Sequence, residues 1–383
     1  MKKIQMVDLQ SQYQKIKGDV DAAILNVLDS AAFINGPEVK QFETELQDYL
    51  TVKHVIPCGN GTDALQIALM ALGLEPGDEV ITADFTFAAT VEVIDLLNLN
   101  SILVDVDYDT FTIDTDKLKA AITPKTKAII PVHLFGQCAN MDEIMAIAKE
   151  HNLVVIEDTA QAIGADYKGK KAGTIGHIGC TSFFPSKNLG CYGDGGAIFT
   201  NDDDIAHRLR GIVNHGMYKR YYHDEVGVNS RLDSVQAAVL RRKLPLLNDY
   251  NAARNKAAAY YSSAFADIDE LLTPVKGDDT THVFHQYTLR VTNGKRNELQ
   301  AFLTGKDIPA MIYYPVPLRK QKAYDNGHYN DADFPNTNKL VEEVMSLPMH
   351  TELDDEQLIT KKLLICFRSF LIFLNLVYNQ NTI

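Results

Sequence analysis

The sequence is poor in cysteine and in positive charge. Five cysteines are spread through 383 residues without a CxxC pair, a pattern that argues against a metal site or a disulfide framework and is typical of a reducing cytoplasm. The formal net charge of −13 argues against a protein that coats nucleic acid, because phosphate backbones require a basic face. A few local cations would still suffice for a small anionic ligand. We therefore expect a cytoplasmic protein with no metal and no nucleic-acid partner.

Long apolar runs and several common enzyme motifs are also missing. Residues 4–14 are too polar for the core of a signal peptide. The most apolar run, 363–378, is interrupted by Arg368 and Asn375 and is shorter than the ~20 residues that a membrane span needs. We interpret it as a buried or oligomer-facing helix, with membrane contact as the less favoured alternative. A Walker A lysine, GxGxxG, HExxH and GxSxG are absent, so no competing chemistry is indicated.

The pattern of the N-terminal half predicts a mostly parallel sheet. Short β-rich runs alternate with helix-like segments, which is typical of βαβ units with helices on both faces of a sheet. Seven runs lie at 54–57, 79–82, 101–106, 128–132, 153–157, 180–184 and 196–200. Residues 202–263 have a mainly helical pattern, and strands mix with helices after about 270. Because a chain of 383 residues is longer than a domain with a single hydrophobic core usually is, we expect a large domain at 1–248 and a smaller α+β domain at 249–383.

Two strand ends carry candidate binding groups. Residues 58–63, Cys-Gly-Asn-Gly-Thr-Asp, follow a strand and begin a helix, where free backbone N–H groups and the Thr62 hydroxyl would bind an anion. An ordinary capped turn is the alternative. Residues 154–158 form an apolar strand that ends in Glu157 and Asp158, at the sheet edge where α/β proteins bind ligands. Asp158 either pairs with a cationic ring nitrogen or caps the following helix.

A lysine follows the sixth predicted strand. Residues 182–187 read Ser-Phe-Phe-Pro-Ser-Lys, and a glycine-rich stretch follows at 190–196, where the backbone must approach something closely. A partly desolvated lysine loses its proton more easily, and only the neutral amine attacks a carbonyl. The alternative for Lys187 is a solvated surface residue. Phe87 follows another strand, where it either stacks on a flat cofactor ring or packs in the core.

A basic, aromatic stretch runs from residue 208 to residue 231. Its members are Arg208, His215, Lys219, Arg220, Tyr221, Tyr222, His223, Asn229 and Arg231, against two acids, Asp224 and Glu225. In so acidic a chain this stretch is a candidate anion-binding loop. A solvated charged loop is the alternative.

Together these residues resemble the DegT/DnrJ/EryC1/StrS family of sugar-nucleotide aminotransferases. The resemblance rests on Asp-Thr-Ala-Gln at 158–161, Ser-Phe-Phe-Pro-Ser-Lys at 182–187 and Gly-Asp-Gly-Gly at 193–196. Gly61-Thr62, Phe87, Gly-Val-Asn-Ser-Arg at 227–231 and Tyr314-Pro315 match in the same order, over about residues 5–358. The resemblance implies the α/β fold of the type I aminotransferases, pyridoxal 5′-phosphate (PLP) as cofactor, and a homodimer with shared active sites.

The resemblance also implies a role for each candidate residue. Lys187 would bind the cofactor covalently and then move protons between carbons, while Asp158 would keep the pyridine nitrogen protonated. Gln161 would lie near the phenolic oxygen and Phe87 on the ring face. The cofactor phosphate would be held by Gly61, Thr62, Ser182 and, from the partner subunit, Asn229. The residues assigned to the substrate are Lys219, Arg220, Arg231, Tyr313 and Tyr314.

The substrate follows from finer similarities. Lysine at 187 differs from related PLP sugar dehydratases, which carry histidine there. Residues 180–202 and 226–233 are especially similar to members that aminate C3 of a UDP-linked 3-keto uronic acid with glutamate as donor. The resemblance therefore implies amination of UDP-2-acetamido-2-deoxy-3-keto-glucuronate for surface polysaccharide, such as lipopolysaccharide O-antigen. A dTDP-3-keto-6-deoxyhexose aminotransferase is the nearer alternative. A non-catalytic PLP-binding regulator is the other, although no basic DNA-binding segment supports it.

The chain departs from the family pattern in two places. Relatives usually have His-Tyr-Pro where this chain has Tyr313-Tyr314-Pro315, which affects the expected sugar selectivity. Beyond about Ile359 the chain is apolar on all sides where a polar, charged helix is expected. An altered reading frame is one hypothesis for the atypical tail at 359–383, and resequencing of the gene would test it.

Overall fold

The computed structural model describes residues 4–354 and 357; the tail at 359–383 lies outside them. The strands before residue 201 are β1 (His54–Cys58), β2 (Glu79–Ala83), β3 (Asn100–Val104), β4 (Thr126–Ile130), β5 (Val154–Asp158), β6 (Asp166–Tyr167), β7 (Lys170–Lys171), β8 (Ile178–Ser182) and β9 (Gly196–Thr200). Seven of them form a sheet in the order β1-β9-β8-β5-β4-β2-β3. Neighbours from β3 to β8 run parallel, and β9 runs antiparallel to β8 and β1. The predicted mostly parallel, seven-stranded sheet is confirmed.

Helices surround this sheet. They are α1 (Leu9–Ser30), α2 (Pro37–Leu50), α3 (Gly61–Leu72), α4 (Ala89–Leu96), α5 (Thr115–Ala120), α6 (Met141–His151), α7 (Asp203–Ile212), α8 (Ser234–Lys243) and α9 (Leu247–Phe265). The side chains of Asn60, Asp114 and Asp202 cap α3, α5 and α7 by accepting backbone N–H groups. Such caps satisfy donors that a helix leaves unpaired at its start.

Alternate strand residues point to opposite faces of the sheet. Val80, Ile130 and Ile156 pack with side chains of α3 and α7, whereas Ile81 and Ile129 pack with side chains of α6. Both faces are therefore buried, which explains why the strands appear in the sequence as continuous apolar runs.

The C-terminal part has its own sheet and core. A hairpin of β10 (Met217–Lys219) and β11 (Tyr222–His223) precedes it, and its elements are β12 (Leu271–Leu272), β13 (Tyr287–Val291), α10 (Arg296–Thr304), α11 (Pro335–Glu343) and β14 (Val344–Leu347). The strands β12, β13 and β14 form an antiparallel sheet that packs on α9 and α10 through a separate apolar cluster. Because α9 is continuous across residues 248 and 249, the boundary between the domains at 1–248 and 249–383 stays a prediction. Among the described helices, none is both long enough and apolar enough to cross a membrane.

Candidate active site

A cavity of about 620 Å³ lies at the carboxyl ends of the parallel strands. This is the edge where α/β sheets bind ligands, and the volume falls within the range of small-molecule sites, roughly 300–1,000 Å³. The walls come from strand ends, from the loops that follow them and from the C-terminal part of the chain. Among the lining residues are Gly61, Thr62, Thr86, Phe87, Asp158, Gln161, Ser182, Lys187, His285, Tyr313 and Tyr314.

Lys187 lies on the cavity wall, in the turn after β8. Its backbone N–H donates to the Phe184 carbonyl at 2.8 Å, and the next side chain, Asn188, donates to the Val283 carbonyl at 2.9 Å. Burial lowers the pKa of the Lys187 amine from 10.5 to about 8, against the opposing influence of the Asp158 carboxylate. Because only the neutral amine attacks a carbonyl, this shift favours a nucleophilic role over that of a solvated surface residue.

Asp158 ends β5 and is buried at the base of the cavity. Its two carboxylate oxygens have separate donors: the Thr90 hydroxyl donates to Oδ2 at 2.9 Å, and the Ala160 N–H donates to Oδ1 at 3.1 Å. These bonds fix the orientation of the carboxylate. A carboxylate held in this way suits the predicted pairing with a protonated ring nitrogen.

Gln161 joins two walls of the cavity. Its Oε1 accepts from the Phe135 N–H at 2.8 Å, and its Nε2 donates to the Tyr314 hydroxyl at 3.2 Å. The centroid of the Tyr314 ring lies 6.2 Å from that of Phe87, and Phe87 exposes 56% of its surface. A phenylalanine this exposed in a cavity is not part of the core, which favours ring stacking over the core-packing alternative.

The start of α3 forms one end of the cavity. Asn60 caps the helix by accepting from the Asp63 N–H at 2.8 Å, which leaves the N–H groups of Gly61 and Thr62 without partners in the helix. A Cβ at Gly61 would lie 2.6 Å from the Ser182 Cβ, so this close approach of α3 to β8 requires glycine. A helix start with free N–H groups and nearby hydroxyls binds phosphate well.

Ser230 connects the basic loop to this helix start. Its hydroxyl accepts from the Gly59 N–H at 2.8 Å and donates to Asp63 Oδ2 at 2.6 Å. The loop and the turn before α3 are therefore held together within one chain.

Four predicted residues lie outside the cavity of the single chain. Lys219 and Arg220 belong to the exposed β10–β11 hairpin, where they stack on neighbouring tyrosine rings at 4.7 and 5.0 Å. Arg231 donates to the side chains of Asn229 and Asn214. Within one chain, the structure thus brings together Gly61, Thr62, Phe87, Asp158, Gln161, Ser182, Lys187, Tyr313 and Tyr314, but not Asn229, Lys219, Arg220 or Arg231.

Three further residues of the site escape sequence reasoning. Thr90 orients the carboxylate at the end of β5, and the buried Thr86 hydroxyl has no hydrogen-bond partner among the described residues. His285 is buried on the cavity wall, where burial and two nearby cations lower its pKa well below the usual value. Thr86 adjoins Phe87 and Thr90 follows it by three residues, and this proximity is the one local signal. His285 comes from the C-terminal part, so the fold alone brings it here.

These residues fit PLP. Separate walls of one cavity carry a lysine amine of lowered pKa, an oriented carboxylate and a helix start. These three groups suit the aldehyde, the ring nitrogen and the phosphate of PLP, in that order. The unpaired Thr86 hydroxyl offers a further polar contact. In the part of the chain that the structure describes, no three His, Cys, Asp or Glu side chains are grouped to hold a metal ion.

Comparison with known proteins points to one family. Residues 14–363 match the profile of the DegT/DnrJ/EryC1/StrS aminotransferase family. UDP-2-acetamido-2-deoxy-3-oxo-D-glucuronate aminotransferase of Pseudomonas aeruginosa is 49% identical, covering 92% of this chain and 96% of its own. A pleiotropic regulatory protein of Geobacillus stearothermophilus is also 49% identical, covering 92% and 95%. A dTDP-3-amino-3,4,6-trideoxy-α-D-glucose transaminase of Streptomyces venezuelae is 39% identical, covering 93% of each.

Solved structures agree. A DegT/DnrJ/EryC1/StrS aminotransferase from Brucella abortus superposes with a TM-score of 0.91 at 41% identity, over 96% of this chain and 99% of its own. A sugar aminotransferase of Streptococcus pneumoniae in its PLP form superposes with a TM-score of 0.83 at 26% identity, over 89% and 93%. The expected type I aminotransferase fold and PLP cofactor are thereby confirmed. The protein belongs to the PLP-dependent DegT/DnrJ/EryC1/StrS aminotransferase family.

Proposed function

We propose that the protein transfers the amino group of L-glutamate to C3 of UDP-2-acetamido-2-deoxy-3-keto-glucuronate, for surface polysaccharide biosynthesis. The observation that carries the proposal is the pairing, in one cavity, of the Lys187 amine of lowered pKa with the oriented Asp158 carboxylate. The 49% identity with the Pseudomonas aeruginosa enzyme of this specificity supports the choice of substrate.

The chain's own residues divide the work around the cofactor. PLP, when bound, would supply the carbonyl group and the electron-withdrawing ring that transamination requires. Lys187 would hold the cofactor through its amine and would afterwards move a proton between carbons. Asp158, which Thr90 holds in position at 2.9 Å, would keep a proton on the ring nitrogen. Gln161, which donates to the Tyr314 hydroxyl at 3.2 Å, would contact the phenolic oxygen.

The phosphate site is proposed to be shared between two subunits. Gly61, Thr62 and Ser182 line the cavity of their own chain. Asn229 is exposed and lies outside that cavity, beside a loop that extends into an exposed hairpin. In a homodimer, this loop would reach the neighbour's cavity and complete the set of predicted phosphate ligands.

The same loop is proposed to bind the acidic substrate. A chain of net charge −13 repels a diphosphate and a sugar carboxylate unless local cations offset it. Lys219, Arg220 and Arg231 provide such cations, and arginine binds carboxylates strongly and with geometric selectivity. Tyr313 and Tyr314 line the cavity from the C-terminal part, on the side assigned to the sugar.

Two relatives support other candidates. The 39% identical Streptomyces venezuelae transaminase, named for a dTDP-3-amino-3,4,6-trideoxy sugar, favours a dTDP-linked 3-keto deoxyhexose as acceptor. The 49% identical Geobacillus stearothermophilus protein is named a pleiotropic regulatory protein, which favours a regulatory role.

Mass spectrometry of products from a panel of keto-sugar nucleotides with glutamate distinguishes these functions. We expect the UDP-uronate to give the highest kcat/KM, and Arg231→Ala to raise KM more for this acid than for a neutral 6-deoxy analogue. If the dTDP-linked keto sugar gave a kcat/KM well above that of the UDP-uronate, the dTDP sugar would be the substrate. A regulator would bind PLP, yet glutamate would not convert the cofactor to its amine form.

A further inference from the structure

A buried ion pair lies behind the part of the cavity assigned to the sugar. Asp84 follows β2 with its side chain 0% exposed, and the Arg319 side chain is 1% exposed. The Arg319 guanidinium donates to Asp84 Oδ2, and the Arg319 backbone N–H donates to Asp84 Oδ1 at 2.8 Å. The Leu318 N–H donates to the Asp84 carbonyl at 3.2 Å. Two loops distant in sequence are therefore held together through both side chains and backbone.

The outer side of the guanidinium is held as well. Arg319 Nη2 donates to Asp331 Oδ1 at 2.9 Å and to Asn338 Oδ1 at 2.5 Å. The Phe334 ring centroid lies 4.3 Å from the guanidinium carbon. Arg319 thus fixes α11 and the segment before it together with the end of β2, and its geometry depends on a planar fork that lysine lacks.

Both loops continue into the cavity. The chain after Asp84 carries Phe85 and Phe87, and the chain before Arg319 carries Tyr313 and Tyr314. The Tyr314 ring lies 6.1 Å from that of Phe85 and 6.2 Å from that of Phe87, centroid to centroid. The ion pair therefore joins the tyrosine loop to the Phe87 loop.

We propose that Asp84 and Arg319 are positioning residues for the acceptor sugar. By setting the separation of these two loops, the pair determines the fit of the sugar nucleotide without touching it. The inference rests on the proposed function. Lys187 lies in the turn after β8, and Asp158 ends β5, where Thr90 and Ala160 hold it, so the pair acts mainly on the sugar half of the reaction.

The two half-reactions test the proposal separately. Arg319→Lys keeps the charge but removes the fork, and the double variant Asp84→Asn, Arg319→Gln removes both charges, so that neither buried partner is left alone. For both, we expect kcat/KM for the keto sugar to fall at least about tenfold and the half-reaction with glutamate to change less than about threefold. Calorimetric affinity for the amino-sugar product nucleotide should fall in parallel.

Arg290→Lys is the matched control. Arg290 is also buried, at 2% side-chain exposure, and is paired with Asp109 at 2.7 Å, in a turn that does not line the cavity. It should leave the ratio of the two half-reactions unchanged. Equal slowing of both halves in the Arg319→Lys protein, or unchanged sugar kinetics, would overturn the assignment. A wild-type protein that reacts with glutamate but with no keto sugar would overturn the proposed function instead.

Discussion

At the scale of the residue, the site places two opposed groups in one cavity. Burial lowers the pKa of Lys187 to about 8, while the Asp158 carboxylate works in the other direction. Thr90 and Ala160 hold the carboxylate in place. A substantial fraction of the Lys187 amine is therefore neutral, and so nucleophilic, at mildly alkaline pH. The Asp158 carboxylate stays fixed beside it.

Lys187→Ala should abolish transamination, with a loss of at least ~10²-fold, because proton transfer by a positioned side chain contributes about 10²–10⁴. The purified wild-type protein should be yellow, and borohydride should attach PLP to the peptide that contains Lys187. Lys243 is an internal control, because burial also lowers its pKa to about 8, yet it donates to the Gly190 carbonyl at 2.6 Å. Label on Lys243, with Lys187→Ala fully active, would contradict the assignment.

The lowered pKa of Lys187 predicts a pH dependence of stability in the cofactor-free protein. Below about pH 8 the amine is protonated in both states, and its burial disfavours the fold. Between about 8 and 10.5 the unfolded chain binds more protons than the native one, so this penalty disappears as pH rises. Lys187→Met should therefore be more stable than wild type near pH 7, with the advantage decreasing toward pH 10. Denaturant unfolding at several pH values measures it, and a constant difference would refute the shift.

Thr90→Val removes the hydroxyl that donates to Asp158 at 2.9 Å while keeping the side-chain volume. We expect kcat to fall about tenfold, equivalent to about 1.4 kcal/mol, the scale of one hydrogen bond to a charged group. Thr90→Ser should restore most of the activity, since the donor returns. Equal activity of the two variants would show that Thr90 serves packing alone.

At the scale of the element, local signals locate the strands better than they locate the helix ends. The run predicted at 196–200 is β9 with the same bounds. The mainly helical pattern at 202–263 does not show that α9 begins at Leu247, because a 3-10 turn at Leu244–Leu246 leads directly into it and Leu247 is fully buried. The β10–β11 hairpin has exposed residues on both strands, so no alternation of apolar residues marks it in the sequence.

Gly61→Ala should weaken PLP binding at the start of α3. The new Cβ would lie 2.6 Å from the Ser182 Cβ, so the helix start must move away from β8 and from the phosphate. Gly18→Ala, inside α1 and with nothing within 4 Å of its Cβ, is the control and should stabilise the protein by up to about 1 kcal/mol. Spectrophotometric PLP titration and thermal unfolding of both variants decide the matter. Unchanged PLP affinity in Gly61→Ala would contradict the proposed phosphate site.

At the scale of the whole molecule, the sequence reveals those parts of the site that share a local motif. Lys187 and Asp158 each lie in a short recognisable segment, and the resemblance adds Tyr314. Supporting contacts are long-range: Thr90 and Asp158 are 68 residues apart, and Asp84 and Arg319 are 235 apart. No local pattern connects such pairs, since packing of the finished fold brings them together.

A shared active site predicts complementation between inactive chains. Each shared site is proposed to need Lys187 from one chain and Asn229 from the other, so Lys187→Ala and Asn229→Ala should each inactivate a dimer of identical chains. A mixed dimer would contain one site with both residues intact. Mixing the two should recover about a quarter of wild-type activity for random pairing of two-chain assemblies. Sedimentation of the wild type checks the premise, and a fully active monomer would rule out sharing.

Ser230 accepts a hydrogen bond from the Gly59 N–H and donates one to Asp63, and these two bonds have a consequence for cofactor retention. They join the loop proposed to reach the neighbouring subunit to the turn proposed to hold the phosphate. Separation of two such subunits would remove Asn229 from one phosphate site and loosen the turn at the other. Mass action then requires that whatever stabilises assembly also tightens PLP binding. Dilution of the protein would release cofactor, and saturation with cofactor would hold the subunits together.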